Sequence, residues 1–92
     1  MSERACYAID IPMSEMYKGR SVLPDPAKMD VPCKQSGFLG VNIDYRYGMI
    51  HFLYDTPEHR NKAYNKIRGK YRICAVNANV AYVDEQYLTG GA

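Results

Sequence analysis

The sequence predicts a small α+β domain, an antiparallel sheet of four to five strands with one main helix packed on one face. Three observations predict this class. Residues 3–11 follow a period of two. A largely alternating segment at 38–46 and an apolar segment at 49–54 flank a short turn, and an amphipathic helix follows at 57–68. The order of elements is strand, loop, two strands, helix and strand, within a single domain spanning residues 1–92.

Length and composition fit a globular domain with a modest core. The chain has 92 residues, of which 47% are hydrophobic and 24% are charged. No run approaches the roughly eighteen apolar residues of a membrane span, and the first residues lack the charged-then-apolar order of a signal peptide. The three cysteines are scattered, which predicts free thiols and a cytoplasmic location.

The first strand is predicted to be half-buried and to end at Pro12. One face of this strand carries Ala5, Tyr7, Ile9 and Ile11, and the other carries Cys6, Ala8 and Asp10. Residues 13–18 fit one helical turn. In the hairpin that follows later, Tyr47 and Gly48 supply the turn, because glycine accepts a positive φ without a steric penalty.

Residues 19–37 are predicted to form a long loop. They contain Pro24, Pro26 and Pro32, and prolines interrupt regular elements. A loop of this length in a small domain is often functional or becomes ordered on a partner, and a surface excursion without a role is the alternative.

The main helix is predicted to begin after Thr56, whose side chain can cap it, with Pro57 at the first helical position. Gly69 ends it. The residues expected to pack on the sheet are Ala63, Tyr64 and Ile67. The next strand is predicted at Tyr71–Val76, and residues 77–79 are either a turn into a fifth strand or part of one long bent strand.

The sequence contains no phosphate-binding glycine loop, nucleophile elbow or metalloprotease helix. Cys33 would need a histidine nearby to act as a nucleophile, and the spacing of the two histidines does not support such a pair. A zinc site built from Cys6, Cys74 and His51 would lack the close ligand pairs of structural zinc sites. His51 is better interpreted as a hydrogen-bonded histidine of the sheet.

Three carboxylates lie near predicted strand ends, where they could gather around the metal of a nuclease: Asp10, Asp44 and Asp55. Each also has an ordinary role on the polar face of a strand or before a helix, and we prefer that interpretation. The sequence therefore predicts a protein that is not an enzyme and that has no metal and no cofactor.

Positive charge is concentrated between Pro57 and Arg72. This segment has six basic residues and one acid, Glu58, so its charge is +5, which leaves −3 for the other residues of a chain whose net charge is +2. Such a surface attracts phosphate backbones or acidic proteins, although an ordinary solvated helix face is the alternative. The candidate contacts are Arg60, Lys62, Asn65, Lys66, Arg68 and Lys70, with Lys28 and Lys34 of the long loop as a second group.

Sequence-specific reading of nucleic acid is not predicted. The chain has neither a helix-turn-helix nor a zinc-finger pattern, and residues 71–76 lack the aromatic signature of an RNA-binding sheet. Any nucleic acid is therefore expected to be contacted through its backbone.

The whole 92-residue outline, and within it the segment from Gly40 (GVNIDY) to Val76 (RICAV), resembles the small phage-encoded anti-CRISPR proteins, most of all inhibitors of type I-F surveillance complexes. The resemblance implies a stoichiometric inhibitor that binds a type I RNA-guided complex in the host bacterial cytoplasm and blocks target DNA hybridisation or nuclease recruitment. Its partners would be subunits of the CRISPR effector ribonucleoprotein, and no membrane or small-molecule substrate is implied.

Many such inhibitors are acidic mimics of DNA, and the basic segment 57–72 departs from that pattern. It would suit contacts with guide RNA or with acidic protein residues instead. The alternative function is that of a small phage or bacterial regulatory protein that binds nucleic acid.

Overall fold

The computed structural model describes residues 2–18 and 25–88. Its elements are β1 (Glu3–Pro12), α1 (Met13–Tyr17), a 3₁₀ helix (Pro26–Lys28), α2 (Asp30–Cys33), β2 (Phe38–Asp44), β3 (Met49–Tyr54), α3 (Pro57–Ile67), β4 (Ala75–Asp84) and a second 3₁₀ helix (Glu85–Tyr87). The strands form one antiparallel sheet in the order β2-β3-β1-β4. The predicted α+β class is confirmed, and the described part of the chain contains four strands.

Strand β1 is buried on both faces, whereas its alternation predicted a half-buried strand. Ile9 and Ile11 are fully buried in the core that includes residues of α3. On the opposite face, Cys6 and Ala8 are buried in a second cluster with Leu53. The difference arises because β1 lies between β3 and β4, and a central strand can be covered on both faces.

Helix α3 follows the predicted local signals closely. Thr56 caps it by accepting a hydrogen bond from the backbone N–H of His59 at 3.1 Å, and Pro57 is its first residue. Ala63 and Ile67 are fully buried against the sheet. Among the described residues α3 is the longest helix, with 11 residues, and no helix there is both long and apolar enough to cross a membrane.

The segment 25–37 is packed against the core and contains two short helices, so the prediction of one irregular loop was wrong here. Pro26 begins the 3₁₀ helix, and Pro32 lies within the single turn of α2. Proline is tolerated in a first turn because the N–H groups there have no partner within the helix. Pro32 is almost completely buried. Residues 19–24, including Pro24, lie outside the described part of the chain.

A buried hydrogen bond holds this segment to the sheet. The side chain of Tyr54 in β3 is fully buried, and its hydroxyl donates to the carbonyl oxygen of Pro32 at 2.6 Å. Burial raises the pKa of Tyr54 well above its usual range, so the hydroxyl remains a donor at physiological pH.

We expect Tyr54→Phe to lower the free energy of unfolding by about 1–3 kcal/mol, because the Pro32 carbonyl would lose its buried donor. Urea denaturation measures this loss. Tyr45→Phe is the matched control, since Tyr45 is 74% exposed. Equal stability of the Tyr54 variant and the wild-type protein would contradict the assigned role of this bond.

The last strand begins later than predicted, at Ala75 instead of Tyr71. Tyr71 is buried in the core, and its backbone N–H donates to the carbonyl oxygen of Ile67, so the chain is still turning there. Of the two alternatives for residues 77–79, the structure shows one long strand with an irregular register at that point. The side chain of Asn77 accepts a hydrogen bond from the N–H of Asn79 at 2.9 Å within this irregularity.

Candidate functional site: a basic groove beside helix α3

A groove of about 110 Å³ lies between α3 and the residues that follow α2. We call it the basic groove, and it is lined by Lys34, Gln35, Ser36, His59, Lys62, Ala63 and Lys66. Lys62 and Lys66 are exposed and four residues apart, so they lie on one side of the helix. Lys34 comes from the segment after α2. The structure therefore brings together residues of the two groups that the sequence predicted separately.

Gly37 holds the two sides of the groove together. Its φ of +81° lies in the left-handed region, which favours glycine. Its carbonyl oxygen accepts a hydrogen bond from the N–H of Asp55 at 2.9 Å. A Cβ at this position would come closer than 3.0 Å to the side chains of Asp55 and His59. The absence of a side chain thus lets residues 34–36 lie directly beside the first turn of α3.

His59 is oriented by Asp55, four residues earlier. Its Nδ1 lies 2.7 Å from the Asp55 carboxylate, so Nδ1 carries the donated proton. Burial raises the pKa of Asp55, but the hydrogen bond from His59, the charge of His59 and two backbone N–H groups outweigh burial and lower it overall. The Asp55–His59 pair therefore favours the ionised carboxylate.

Because the pKa of Asp55 is lowered in the folded protein, its contribution to stability is present above the ordinary value of 3.8 and is lost as pH falls through the lowered value. We expect Asp55→Asn to lose stability at neutral pH and to show a shallower decline on acidification. Urea denaturation between about pH 6 and about pH 2 measures both effects. A decline as steep as that of the wild-type protein would contradict this assignment.

The other predicted contact residues lie outside the groove. Arg60 is half-buried, and it ties α3 to β4 by donating from Nη1 to the carbonyl oxygen of Asn77 at 3.3 Å, with its guanidinium 5.9 Å from the centre of the Tyr7 ring. Four more of the predicted contact residues are exposed but do not line the groove: Lys28, Asn65, Arg68 and Lys70.

Lys70 lies instead at a second cavity, of about 280 Å³, whose lining also includes Glu15, Lys18 and Arg72. The carboxylate of Glu15 accepts a hydrogen bond from the N–H of Arg72 at 3.0 Å and lies 3.8 Å from the ammonium of Lys18. A carboxylate therefore offsets part of the positive charge there. By contrast, Lys62 and Lys66 form no ion pair with any carboxylate of residues 2–18 and 25–88.

The three carboxylates considered for a metal site do not converge. Asp10 pairs with His51 at 2.5 Å, and Asp55 pairs with His59. Asp44 accepts hydrogen bonds from backbone N–H groups in the β2–β3 turn. Within the described ranges, no group of three or more histidine, cysteine or acidic residues could hold a metal ion.

The Asp10–His51 pair confirms His51 as a hydrogen-bonded histidine of the sheet. Asn77 completes the cluster by donating from Nδ2 to the other carboxylate oxygen of Asp10 at 3.1 Å. Ile9 and Ile11 face the core beneath α3, so strand alternation places Asp10 on the opposite face. The pair and the basic groove therefore lie on opposite sides of the sheet.

The thiol of Cys33 is not activated. Its Sγ lies 3.0 Å from the carbonyl oxygen of Pro26, to which it donates, and burial raises its pKa to about 11. A nucleophilic cysteine requires the thiolate. As predicted, the three cysteines, Cys6, Cys33 and Cys74, are free.

Three polar residues of the groove were not among the contacts predicted from the sequence: Gln35, Ser36 and His59. A signal for His59 was present, because residues 59, 62 and 66 follow spacings of three and four and therefore share one helix face. No comparable signal existed for residues 35 and 36, since only tertiary packing places them beside α3.

Comparison of this chain with protein-family models, with curated proteins and with solved structures found no match.

Proposed function

We propose that this chain is a non-enzymatic binding protein whose basic groove docks on the RNA of a ribonucleoprotein. The observation that carries the proposal is the convergence of Lys34, Lys62 and Lys66, from two separate segments, on one surface groove. Ammonium groups in such a cluster attract phosphates and form charge-assisted hydrogen bonds with them.

The chemistry of the groove favours contact with the nucleic-acid backbone over reading of bases. Its lining is almost entirely polar, and the lysines are point charges without the planar fork that pairs with a guanine edge. Arg60, which has such a fork, is held by Asn77 and Tyr7 instead. Docking on phosphates would therefore position the protein on its partner without selecting a sequence.

The ribonucleoprotein that we propose is a type I CRISPR surveillance complex, with type I-F the first to test. The support for this partner is the resemblance of the chain to small inhibitors of those complexes. Bound there, the protein would act stoichiometrically in the bacterial cytoplasm, where free thiols persist, and would block hybridisation of target DNA or recruitment of the nuclease.

A second function, a regulatory protein that binds free nucleic acid, is favoured by the extent of the positive surface. Asn65 and Arg68 are exposed on and just beyond α3, so they continue this surface past the groove. A longer stretch of phosphate backbone could follow it.

Two binding measurements separate these functions. For an inhibitor we expect stoichiometric retention of the purified protein on an immobilised type I-F surveillance complex, together with reduced binding of target DNA by that complex. For a free nucleic-acid binder we expect affinity for naked RNA that falls steeply between about 50 and 200 mM salt, without retention on the complex. Failure to bind either partner would overturn the proposed role of the groove.

The assignment as a non-enzymatic protein can be tested at the Asp10–His51 pair, which lies on the side of the sheet opposite the groove. Incubation of the protein with RNA or DNA should yield no cleavage products, and His51→Gln should leave that result unchanged. Cleavage that disappears in the folded His51→Gln protein would overturn the assignment, because it would place turnover at the Asp10–His51 pair.

A further inference from the structure

We infer that the basic groove is a site for a terminal phosphate of RNA, a phosphomonoester dianion, in preference to the phosphodiesters within the strand. This inference rests on the proposed function, because it names the group of the RNA that the same surface takes.

The size of the groove suits one phosphate group. Since one water needs about 10–15 Å³ of such space, a volume of 110 Å³ holds a small cluster of waters. A tetrahedral oxyanion fits such a space. The groove is also partly open to solvent, so the rest of the strand can leave it without entering the protein.

The charge of the groove exceeds that of one phosphodiester. Lys62 and Lys66, which form no ion pair with the described carboxylates, bring two positive charges to it, and a phosphodiester carries a single negative charge. A phosphomonoester carries about −1.5 to −2 at pH 7 and offers three strongly accepting oxygens. The dianion therefore matches the cluster better, because it can accept from several donors at once.

The position of the groove adds two further favourable contributions. His59 lies in the first turn of α3, near the helix end whose dipole favours anions. Ser36 contributes a hydroxyl that can donate to a phosphate oxygen. Both residues are held in place by the contact between Gly37 and Asp55.

The groove is preorganised, which matters for a site of this size. Tyr54 holds Pro32, and Asp55 holds Gly37, so the residues between these two anchors are fixed at both ends. Lys34 therefore need not be brought from a distant position when the phosphate binds. A preorganised site loses less conformational entropy on binding.

The test compares three oligoribonucleotides of one sequence that differ at their ends. The first has a 5′-phosphate, the second a 3′-phosphate, and the third hydroxyl groups at both ends. We expect at least one phosphorylated end to bind about tenfold tighter than the hydroxyl form, a gain in the range of charged hydrogen bonds. Calorimetry measures the affinities, and inorganic phosphate should reduce the advantage.

Substitutions locate the preference in the groove. Lys66→Gln should remove most of the advantage of a phosphorylated end, whereas Arg46→Gln, at an exposed arginine outside the groove, should retain it. A preference that survives Lys66→Gln and Lys62→Gln would overturn the inference by placing the site elsewhere. Equal binding of all three oligonucleotides would overturn the inference and leave the proposed RNA contact in place. Absence of binding to the oligonucleotides and to the surveillance complex would overturn both.

Discussion

Gly37→Ala is expected to lower the free energy of unfolding by about 2–5 kcal/mol. A left-handed φ costs a residue with a Cβ about 1–2 kcal/mol, and overpacking adds about 1–3 kcal/mol. Both costs apply here, since φ is +81° and the methyl group would overlap the side chains of Asp55 and His59. For a domain of this size the melting temperature should fall by about 10 °C or more, which thermal denaturation measures.

Gly48→Ala is the matched control for this substitution. Gly48 also has a positive φ, +63°, but an added Cβ would meet no atom within 4 Å. Only the backbone cost of about 1–2 kcal/mol should therefore appear. Equal losses of stability in the two variants would show that the packing of Gly37 against the Asp55–His59 pair contributes nothing to the free energy of unfolding.

Gly37→Ala also tests whether the close packing at Gly37 keeps the groove in the shape that binds RNA. To accommodate a methyl group, the segment 34–36 or the first turn of α3 must shift. We expect weaker RNA binding by Gly37→Ala at a temperature where the variant is still folded, and unchanged binding by Gly48→Ala. Full binding by the folded Gly37 variant would show that the groove tolerates this displacement.

The double variant Lys62→Glu with Lys66→Glu should reduce binding to RNA or to the surveillance complex about 100-fold or more. Two phosphate contacts would be lost, and two carboxylates would repel the same phosphates. On single-stranded RNA the slope of log affinity against log salt should shrink by about 1.4, at about 0.7 for each phosphate contact. Binding isotherms over a series of salt concentrations measure both quantities.

The fold should survive this change, because both lysines are exposed and unpaired within the described residues. Arg4→Glu with Arg46→Glu is the matched control, since it changes the net charge equally at two exposed positions outside the groove. A similar loss of binding in both double variants would indicate a general effect of net charge. Undiminished binding in the lysine variant would move the contact elsewhere, with the segment around Lys28 the next candidate.

Caps, breakers and turn residues gave accurate predictions for elements that depend on residues close together in the chain. The Thr56–Pro57 cap predicted the start of α3, and the breaker Gly69 predicted its end to within about one residue. The turn at Gly48, with an alternating segment before it and an apolar segment after it, predicted the β2–β3 hairpin. Each depends on a few residues that are neighbours in the chain.

Predictions failed where a distant segment changed the surroundings. Residues 71–74 are apolar enough for a strand, but the buried Tyr71 keeps the chain turning after α3. Pro32 was interpreted as part of an irregular loop, and the hydroxyl of Tyr54 makes it part of the core. Neither distant partner could be identified from sequence spacing, because the hydroxyl of Tyr71 contacts Met29 and that of Tyr54 contacts Pro32, which are far away in the chain.

The sequence by itself determined the α+β class, the boundaries of α3 and the charge of +5 between residues 57 and 72, since these follow from composition and from neighbouring residues. The tertiary structure alone decided that Lys34 joins Lys62 and Lys66, and that His51 pairs with Asp10 on the opposite side of the sheet. The reason for the His51 pair is the antiparallel register that places Asp10 opposite His51, and the reason for the lysine cluster is the packing at Gly37. Its bare Cα and left-handed φ allow two segments to approach each other, and a linear pattern of charges does not record that approach.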